Sequence, residues 1–284
     1  MFNKYNPQDW WDRVGKRSVS GDKDNAKFDI DEYGGSLYDI PSIDGIPKFY
    51  DYIENDSNVL DIGSGIGYYV INLAKRGINA NGCDISDSLL NIARDNCRLY
   101  NINPSERFFK WDGHRLPFND NSYNIVTTNT VLQHVISESQ IQDIFNEVSR
   151  VLNKDGYFCI SELISPKEFR SSVHVKQRTM SSYISIAEKN GFQAIDIIYF
   201  PQLYGSFFYL YTKLFKNSTL IDSKSNKQNN KEFPSKGKKN NSVLKILNQM
   251  VKFITRYLLD PIIGFFKLGK YFHSQANIVF KLVK

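Results

Sequence analysis

The sequence is short of cysteine, of long uncharged apolar runs and, toward its end, of acids, and each shortage excludes something. Cys83, Cys97 and Cys159 are its three cysteines. An odd number, far apart and partly within apolar runs, argues against a disulfide framework and for a reduced, intracellular protein. No Cys/His spacing suits a zinc site. No uncharged run reaches the roughly eighteen apolar residues of a membrane span, and the opening MFNKYNPQDWWDRVGKR lacks the apolar stretch of a secretory signal. The expected location is the cytoplasm. Residues 201–284 carry fifteen Lys/Arg against Asp222, Glu232 and Asp260, a balance of +12 that leaves −6 for residues 1–200. A region that basic suits nucleic acid, anionic lipid or a solvated surface.

What is present is an alternation, from Asn58 onward, of short apolar runs and helix-like stretches, the pattern of an α/β protein with a parallel sheet. Strands are expected at 58–62, 79–83, 107–111, 123–128, 156–161, 192–199 and 277–282, and helices at 66–76, 86–100, 138–152 and 179–189. Ser86 can cap its helix and Gly191 can end one. Residues 1–45, with Trp10, Trp11, Tyr33, Tyr38 and the pair Gly34–Gly35, read as a lid or leader. Residues 46–200 form the core, 201–273 an insertion, and 274–284 the last core strand. The insertion's middle, 217–241, is rich in Lys, Asn and Ser and is expected to be disordered.

The chemistry concentrates at strand ends. The run Val59-Leu60-Asp61-Ile62-Gly63-Ser64-Gly65-Ile66-Gly67 is a strand, a glycine-rich turn and a helix start, where backbone can approach a ligand closely. A dinucleotide fingerprint would place a small residue at position 68, which is Tyr68. The acid at the strand end suits a ligand with a positive centre and an amino acid tail better than a pyrophosphate. Asp84 then ends the second strand, where a carboxylate can accept from ribose hydroxyls, and Asp112 ends the third. Parallel strands present their carboxyl ends together, so Asp61, Asp84 and Asp112 should converge on one crevice.

VLDIGSGIGYYV, CDIS, WDGHRLPFNDNSYNIV, TVLQHV and FNEVSRVLNKDGYFCISE together resemble the successive motifs of class I S-adenosylmethionine-dependent methyltransferases of the quinone and small-molecule type. The resemblance covers about residues 46–200 and the last strand. It implies a Rossmann-like, doubly wound seven-stranded sheet of order 3-2-1-4-5-7-6 with strand seven antiparallel. It also implies S-adenosyl-L-methionine as cofactor, with Gly63, Gly65 and Gly67 on its methionine part, Asp84 at the ribose, Ile85 over the adenine and Asp112 at the adenine amino group. Asp61, Ser64, Gly113 and Asn129 complete the implied binding set. His134, just beyond the fourth strand, is the candidate catalytic base if the acceptor is a hydroxyl; the alternative is that it braces the crevice wall. Relatives that bind a metal carry acids four and one residues before this histidine, whereas Thr130 and Gln133 stand here, so no metal is expected. His174 and Arg178 lie where relatives contact substrate, or in a solvated loop.

In the insertion, Val243, Leu244, Leu247, Met250, Val251, Ile254 and Leu258 recur at helical spacing, with Lys245, Lys252 and Arg256 on other faces. Phe265, Phe266 and further lysines follow. Such a segment suits an anionic membrane surface or a cap packed on the core. The expected function is therefore methyl transfer to a small-molecule, lipid-linked or glycan acceptor, with O-methylation favoured. The rivals are RNA methylation or binding through the basic region, for which the base-handling motif after strand four is absent, and a non-catalytic cofactor-binding protein.

Overall fold

The structure, a computed structural model, describes residues 5–19, 51–201 and 274–283. The chain divides into two units, Met1–Tyr199 with Gln275–Lys284, and Phe200–Ser274. Tyr33, Tyr38, Gly34, Gly35 and nearly all of the expected insertion, including its helical stripe, lie outside the described residues.

Nine strands and five α-helices follow in order among the described residues: α1 Pro7–Val19, β1 Asn58–Ile62, α2 Tyr68–Lys75, β2 Asn79–Asp84, α3 Asp87–Leu99, β3 Phe108–Lys110, β4 Tyr123–Asn129, α4 Glu138–Val151, β5 Leu152–Ile164, β6 Phe169–Arg170, β7 Lys176–Gln177, α5 Met180–Lys189, β8 Phe192–Pro201 and β9 Ser274–Leu282. A 3-10 turn, Leu132–His134, follows β4. Seven strands make one sheet in the order β3-β2-β1-β4-β5-β9-β8, which is the implied order with β8 as the sixth strand and β9 as the seventh. The β1–β2, β1–β4, β2–β3 and β4–β5 pairs are parallel. Val283, one residue past β9, donates its N–H to the carbonyl of Gly191, one residue before β8, so those two strands run antiparallel.

The central strand shows why the sheet is covered on both faces. Leu60 and Ile62 enter one apolar layer with Phe145, Phe158 and Phe280, while Val59 enters the other with Val70, Leu90, Phe108 and Ile125. Successive side chains point to opposite faces, so the run NVLDI needs both layers. Each large side chain so buried stabilises the fold by about 1.5–3 kcal/mol.

Helix starts follow local chemistry. The hydroxyls of Ser86, Ser137 and Thr179 accept from the N–H groups of Leu89, Gln140 and Ser182, so each sits outside its helix as the cap. The expected starts at 86 and 179 are in fact these cap residues. Strand β5 begins at Leu152 rather than 156, because Leu152 pairs with Tyr123 before the register shifts at Ile125–Tyr157 and Asp155 turns through a positive φ of 62°. Helix α1 and the β6–β7 hairpin were not expected. Among the described residues no helix is long and apolar enough to cross a membrane.

Candidate functional site

The carboxyl ends of β1, β2, β3 and β4 meet along one edge of the sheet, since Ile62 lies opposite Cys83 and Thr128, and Asp84 opposite Lys110. The turn after β1 runs through Gly63, Gly65 and Gly67, all at positive φ. Two of these glycines are required by the protein's own packing. A Cβ at Gly63 would lie 2.3 Å from Val131 Cγ2, and one at Gly67 would lie 2.7 Å from Phe108 and 3.0 Å from Ala93. Gly65 differs, because a Cβ there meets nothing within 4 Å. Its bare backbone borders open space, as a turn must if a ligand is to lie against it.

Asp84 braces this turn. Its Oδ2 accepts from Gly65 N–H at 2.9 Å and its Oδ1 from Ser86 N–H at 2.8 Å. A carboxylate has about four acceptor positions, so capacity for further donors is left. Burial pushes Asp84 up to about 6 against those two backbone donors. Burial likewise pushes Asp61 up to about 7, opposed by the Thr127 hydroxyl, which donates to Asp61 Oδ1 at 2.9 Å, and reinforced by the charge of Asp84. Asp112 is exposed, and its Oδ1 accepts from His114 and Arg115 N–H, which hold it below the usual carboxylate range. Gly113, at φ 85°, comes within 3.4 Å of Ile85 Cδ1 when a Cβ is placed on it, so Ile85 and Gly113 border the same place beside Asp84. The Ser64 hydroxyl turns away from that place, into the sheet against Gly82, where a Cβ would lie 2.7 Å from it. Asn129 donates from Nδ2 to the Tyr69 hydroxyl at 3.0 Å, while its buried Oδ1 has no partner. An open glycine, an acid with spare lone pairs and an orphaned amide oxygen form a set of acceptors beside bare backbone that fits a nucleoside carrying an amino acid tail.

Beyond β4 the chain turns sharply. Thr130 takes a left-handed φ of 55°, a conformation that costs a β-branched residue about 1–3 kcal/mol. The following backbone is held from the core. Glu162 Oε1 accepts from Val131 and Leu132 N–H at 2.8 and 2.7 Å, and Oε2 accepts from Gln133 N–H at 3.2 Å. Burial pushes Glu162 up to about 7, although these backbone donors and Arg178 favour its charged form. This loop carries His134, whose Nδ1 donates to the carbonyl of His174 at 3.1 Å. That bond assigns the proton to Nδ1 and makes Nε2 the acceptor, 3.3 Å from Gln133 Nε2. Burial lowers His134 to about 4, so it is neutral at physiological pH.

Helix α1 spans both halves of the edge. Asp12 Oδ1 accepts from the Ser86 hydroxyl at 2.6 Å and from Ser88 N–H, and a Cβ on Gly15 would lie 2.7 Å from Ser88 Cβ. At its other end Trp10 stacks on His174 at 4.3 Å and Trp11 meets His134 edge-on at 5.0 Å. The position of Trp10 and Trp11 in the sequence suggested a lid, but nothing there indicated these partners. His174 and Arg178 are buried rather than in a solvated loop. Glu162 went unnoticed, although an acid ending the fifth strand repeats the pattern of Asp61 and Asp84. Among the described residues no cluster of three or more His, Cys, Asp or Glu could hold a metal ion.

Residues 59–156 match the methyltransferase domain family. The demethylmenaquinone methyltransferase of Tropheryma whipplei is 33% identical over 111 residues, which are 39% of this chain and 44% of that protein. The sterol 24-C-methyltransferase of Schizosaccharomyces pombe is 26% identical over 137 residues, 48% of this chain and 35% of that protein. The chain thus spans about half the length, or less, of these curated relatives. Among solved structures, phosphoethanolamine N-methyltransferase 2 of Haemonchus contortus, in complex with S-adenosyl-L-methionine, superposes with a TM-score of 0.61 at 16% identity, over 99% of this chain and 60% of that one.

Proposed function

We propose, from the premise that this chain is built on a class I S-adenosylmethionine-dependent methyltransferase domain, that it transfers a methyl group to the hydroxyl of a small-molecule, lipid-linked or glycan acceptor. The observation that carries the reading is the turn at Gly65, open to a ligand and bonded to Asp84, with Ile85, Gly113 and the orphaned Asn129 oxygen around it. S-adenosylmethionine, when bound, supplies an electrophilic methyl group, so the protein is left mainly with alignment and proton transfer.

Asp84 has lone pairs left for ribose hydroxyls, Ile85 and Gly113 would flank the adenine, and Asp112 would take its amino group. Gly63 and Gly67 shape the turn, Ser64 N–H ties it to the Cys83 carbonyl, and Asp61 gives it a buried acid. Asn129 Oδ1 suits the ammonium of the amino acid tail. Trp10 and Trp11 cover the acceptor side and exclude water. His134 would take the acceptor's proton on Nε2, the acceptor hydroxyl displacing the Gln133 amide that lies 3.3 Å from that nitrogen. An imidazole lowered to about 4 is a weak base, so it favours a phenol-like hydroxyl, with a pKa near about 10, over an aliphatic alcohol.

A lipid-linked acceptor is supported by the apolar, basic stretch within 201–273 and by relatives whose names refer to a quinone and a sterol. The name of the sterol 24-C-methyltransferase also favours a second reading, methylation of carbon. The proposal does not call on a metal, because Thr130 and Gln133 offer no carboxylate, and nucleic acid is disfavoured as a partner because the lysines are interleaved with an apolar stripe.

Titration with S-adenosylhomocysteine tests the first part, with saturable heat expected for the parent and a large loss for Asp84→Ala. No heat with the parent, or binding of NADH instead, overturns the proposal. The proton-acceptor role is tested by His134→Ala, expected to lower the rate on a hydroxyl acceptor about a hundredfold with cofactor affinity retained. Unchanged turnover would leave His134 as a brace of the crevice wall, as carbon methylation would allow.

A further inference from the structure

The loop that carries His134 is gripped from two sides by a pair of ionisable side chains, each with no exposed surface, that the proposed reaction does not itself use. Glu162, at the end of β5, receives the N–H groups of three consecutive residues, Val131, Leu132 and Gln133. Arg178, just before α5, donates to carbonyls of the same loop, from Nη1 to Leu132 at 3.0 Å and from Nη2 to Val135 at 2.7 Å. Glu138, at the start of α4, accepts a further bond from Arg178 Nη2 at 3.0 Å.

We propose that Glu162 and Arg178 are positioning residues, a buried latch that fixes the backbone of residues 130–135 and the His174 carbonyl so that His134 keeps its proton on Nδ1 and presents Nε2 to the acceptor. The inference rests on the reading of His134 as proton acceptor and adds what holds it in place. Two features beyond the bonds themselves support it. First, a left-handed Thr130 persists only where its surroundings impose it, and the Glu162 bonds begin at the next residue. Second, Arg178 acts on both partners of the His134 hydrogen bond. Its side chain holds the loop, while its own backbone is anchored to β5, its carbonyl accepting from Ser165 N–H at 3.0 Å and its position pairing with Ile164. His174 lies four residues earlier on that anchored stretch, which includes β7, so the carbonyl facing His134 Nδ1 is set by the same anchor.

A carboxylate on three backbone donors and a guanidinium on two carbonyls suit this task because they are opposite in kind. The first satisfies the N–H groups at the start of the 3-10 turn, which have no partner within it; the second satisfies the Val135 carbonyl just past the turn and adds a second donor to the Leu132 carbonyl, which also accepts from Val135 N–H. An apolar pair of the same volume would fill the space but leave four backbone groups, the N–H groups of Val131, Leu132 and Gln133 and the Val135 carbonyl, to find other partners. Burial raises the proton affinity of Glu162, and the three N–H donors and Arg178 oppose that rise, so the latch holds best with the acid ionised.

The test reads His134 directly and needs neither acceptor nor cofactor. In the full chain labelled with 15N-histidine, four histidines give a simple long-range 15N–1H spectrum, and His134→Gln assigns the resonance. The parent is expected to show His134 as a single Nδ1–H tautomer, and Glu162→Gln to convert it into an averaged mixture while the core methyl spectrum stays native. Should Glu162→Gln not fold, Arg178→Lys keeps the charge, removes the two-pronged grip and is expected to give the same averaging. A folded variant of either kind with an unchanged His134 pattern overturns the latch. Hydrogen exchange on the parent supplies an arm without mutation: the amides of Val131, Leu132 and Gln133 should exchange as slowly as those of β5. If they exchange as quickly as exposed loops, the latch does not exist. Because methyl transfer enters none of these readouts, failure here and failure of the proposed reaction are separable.

Discussion

Asp12 and Ser86, 74 residues apart in the chain, share a 2.6 Å hydrogen bond that fastens α1 to the start of α3, two residues beyond the buried acid Asp84. Ser86 is tied to both sides, since its backbone N–H donates to Asp84 Oδ1 while its hydroxyl donates to Asp12. Helix α1 and the sheet edge that carries Asp84 are therefore joined through one residue.

That joint predicts the effect of Asp12→Ala. A hydrogen bond to a charged group contributes about 1.5–3 kcal/mol, and the partial exposure of Asp12 places this one toward the low end. The amides of α1 should exchange faster in the variant while the sheet is unaffected, and S-adenosylhomocysteine should dissociate faster. Equal protection of α1 in variant and parent would mean that the tryptophans alone hold the helix.

Two glycines of one turn should respond differently to alanine. At Gly67 the new methyl meets Phe108 and Ala93, so Gly67→Ala should lower the melting temperature by several degrees. At Gly65 the methyl enters open space, and the cost is confined to about 1–2 kcal/mol for a left-handed alanine. Gly65→Ala should keep most of the stability and lose most of the affinity for S-adenosylhomocysteine. Undiminished affinity in that variant would mean that the turn does not line the ligand site.

Burial of Asp61 gives a pH dependence of defined sign. With Asp61 raised to about 7 in the fold from its ordinary 3.8, the folded protein holds this proton more tightly than the unfolded chain. The associated stability is full below the ordinary value and is lost as pH rises through about 7. Asn resembles the protonated acid, so Asp61→Asn should melt at a higher temperature than the parent at pH 8, with the gap closing toward pH 4. A gap that stays constant with pH would show that Asp61 ionises as an ordinary acid.

The basic stretch makes a prediction outside the described residues. If residues 243–272 meet a membrane, lysines contribute about 1 kcal/mol each near an anionic surface, and the apolar side chains add a part insensitive to salt. The chain should then sediment with anionic vesicles, less as salt rises, and a Phe265→Glu, Phe266→Glu variant should sediment less at every salt concentration. A parent that stays in the supernatant with anionic and neutral vesicles alike would favour a cap over the crevice.

The sequence by itself determined the layered fold and the sheet edge that carries the candidate site. Apolar periodicity, cap residues and glycines are local signals, and parallel strands must present Asp61, Asp84 and Asp112 on one side whatever the remaining packing does. It also marked His134, because the resemblance aligned it, and Gly65, although not that Gly65 is the turn glycine facing open space. Tertiary structure alone decided the rest. Nothing near Trp10 indicated that it would stack on His174, and nothing near Arg178 separated a buried clamp from a solvated loop. Glu162 and the residues it holds are 29 to 31 positions apart, and Asp12 and Ser86 are 74. Contacts at such separations depend on which faces of β5, α1 and α3 come together, and that is settled by burial of the whole apolar surface rather than by any neighbouring residue.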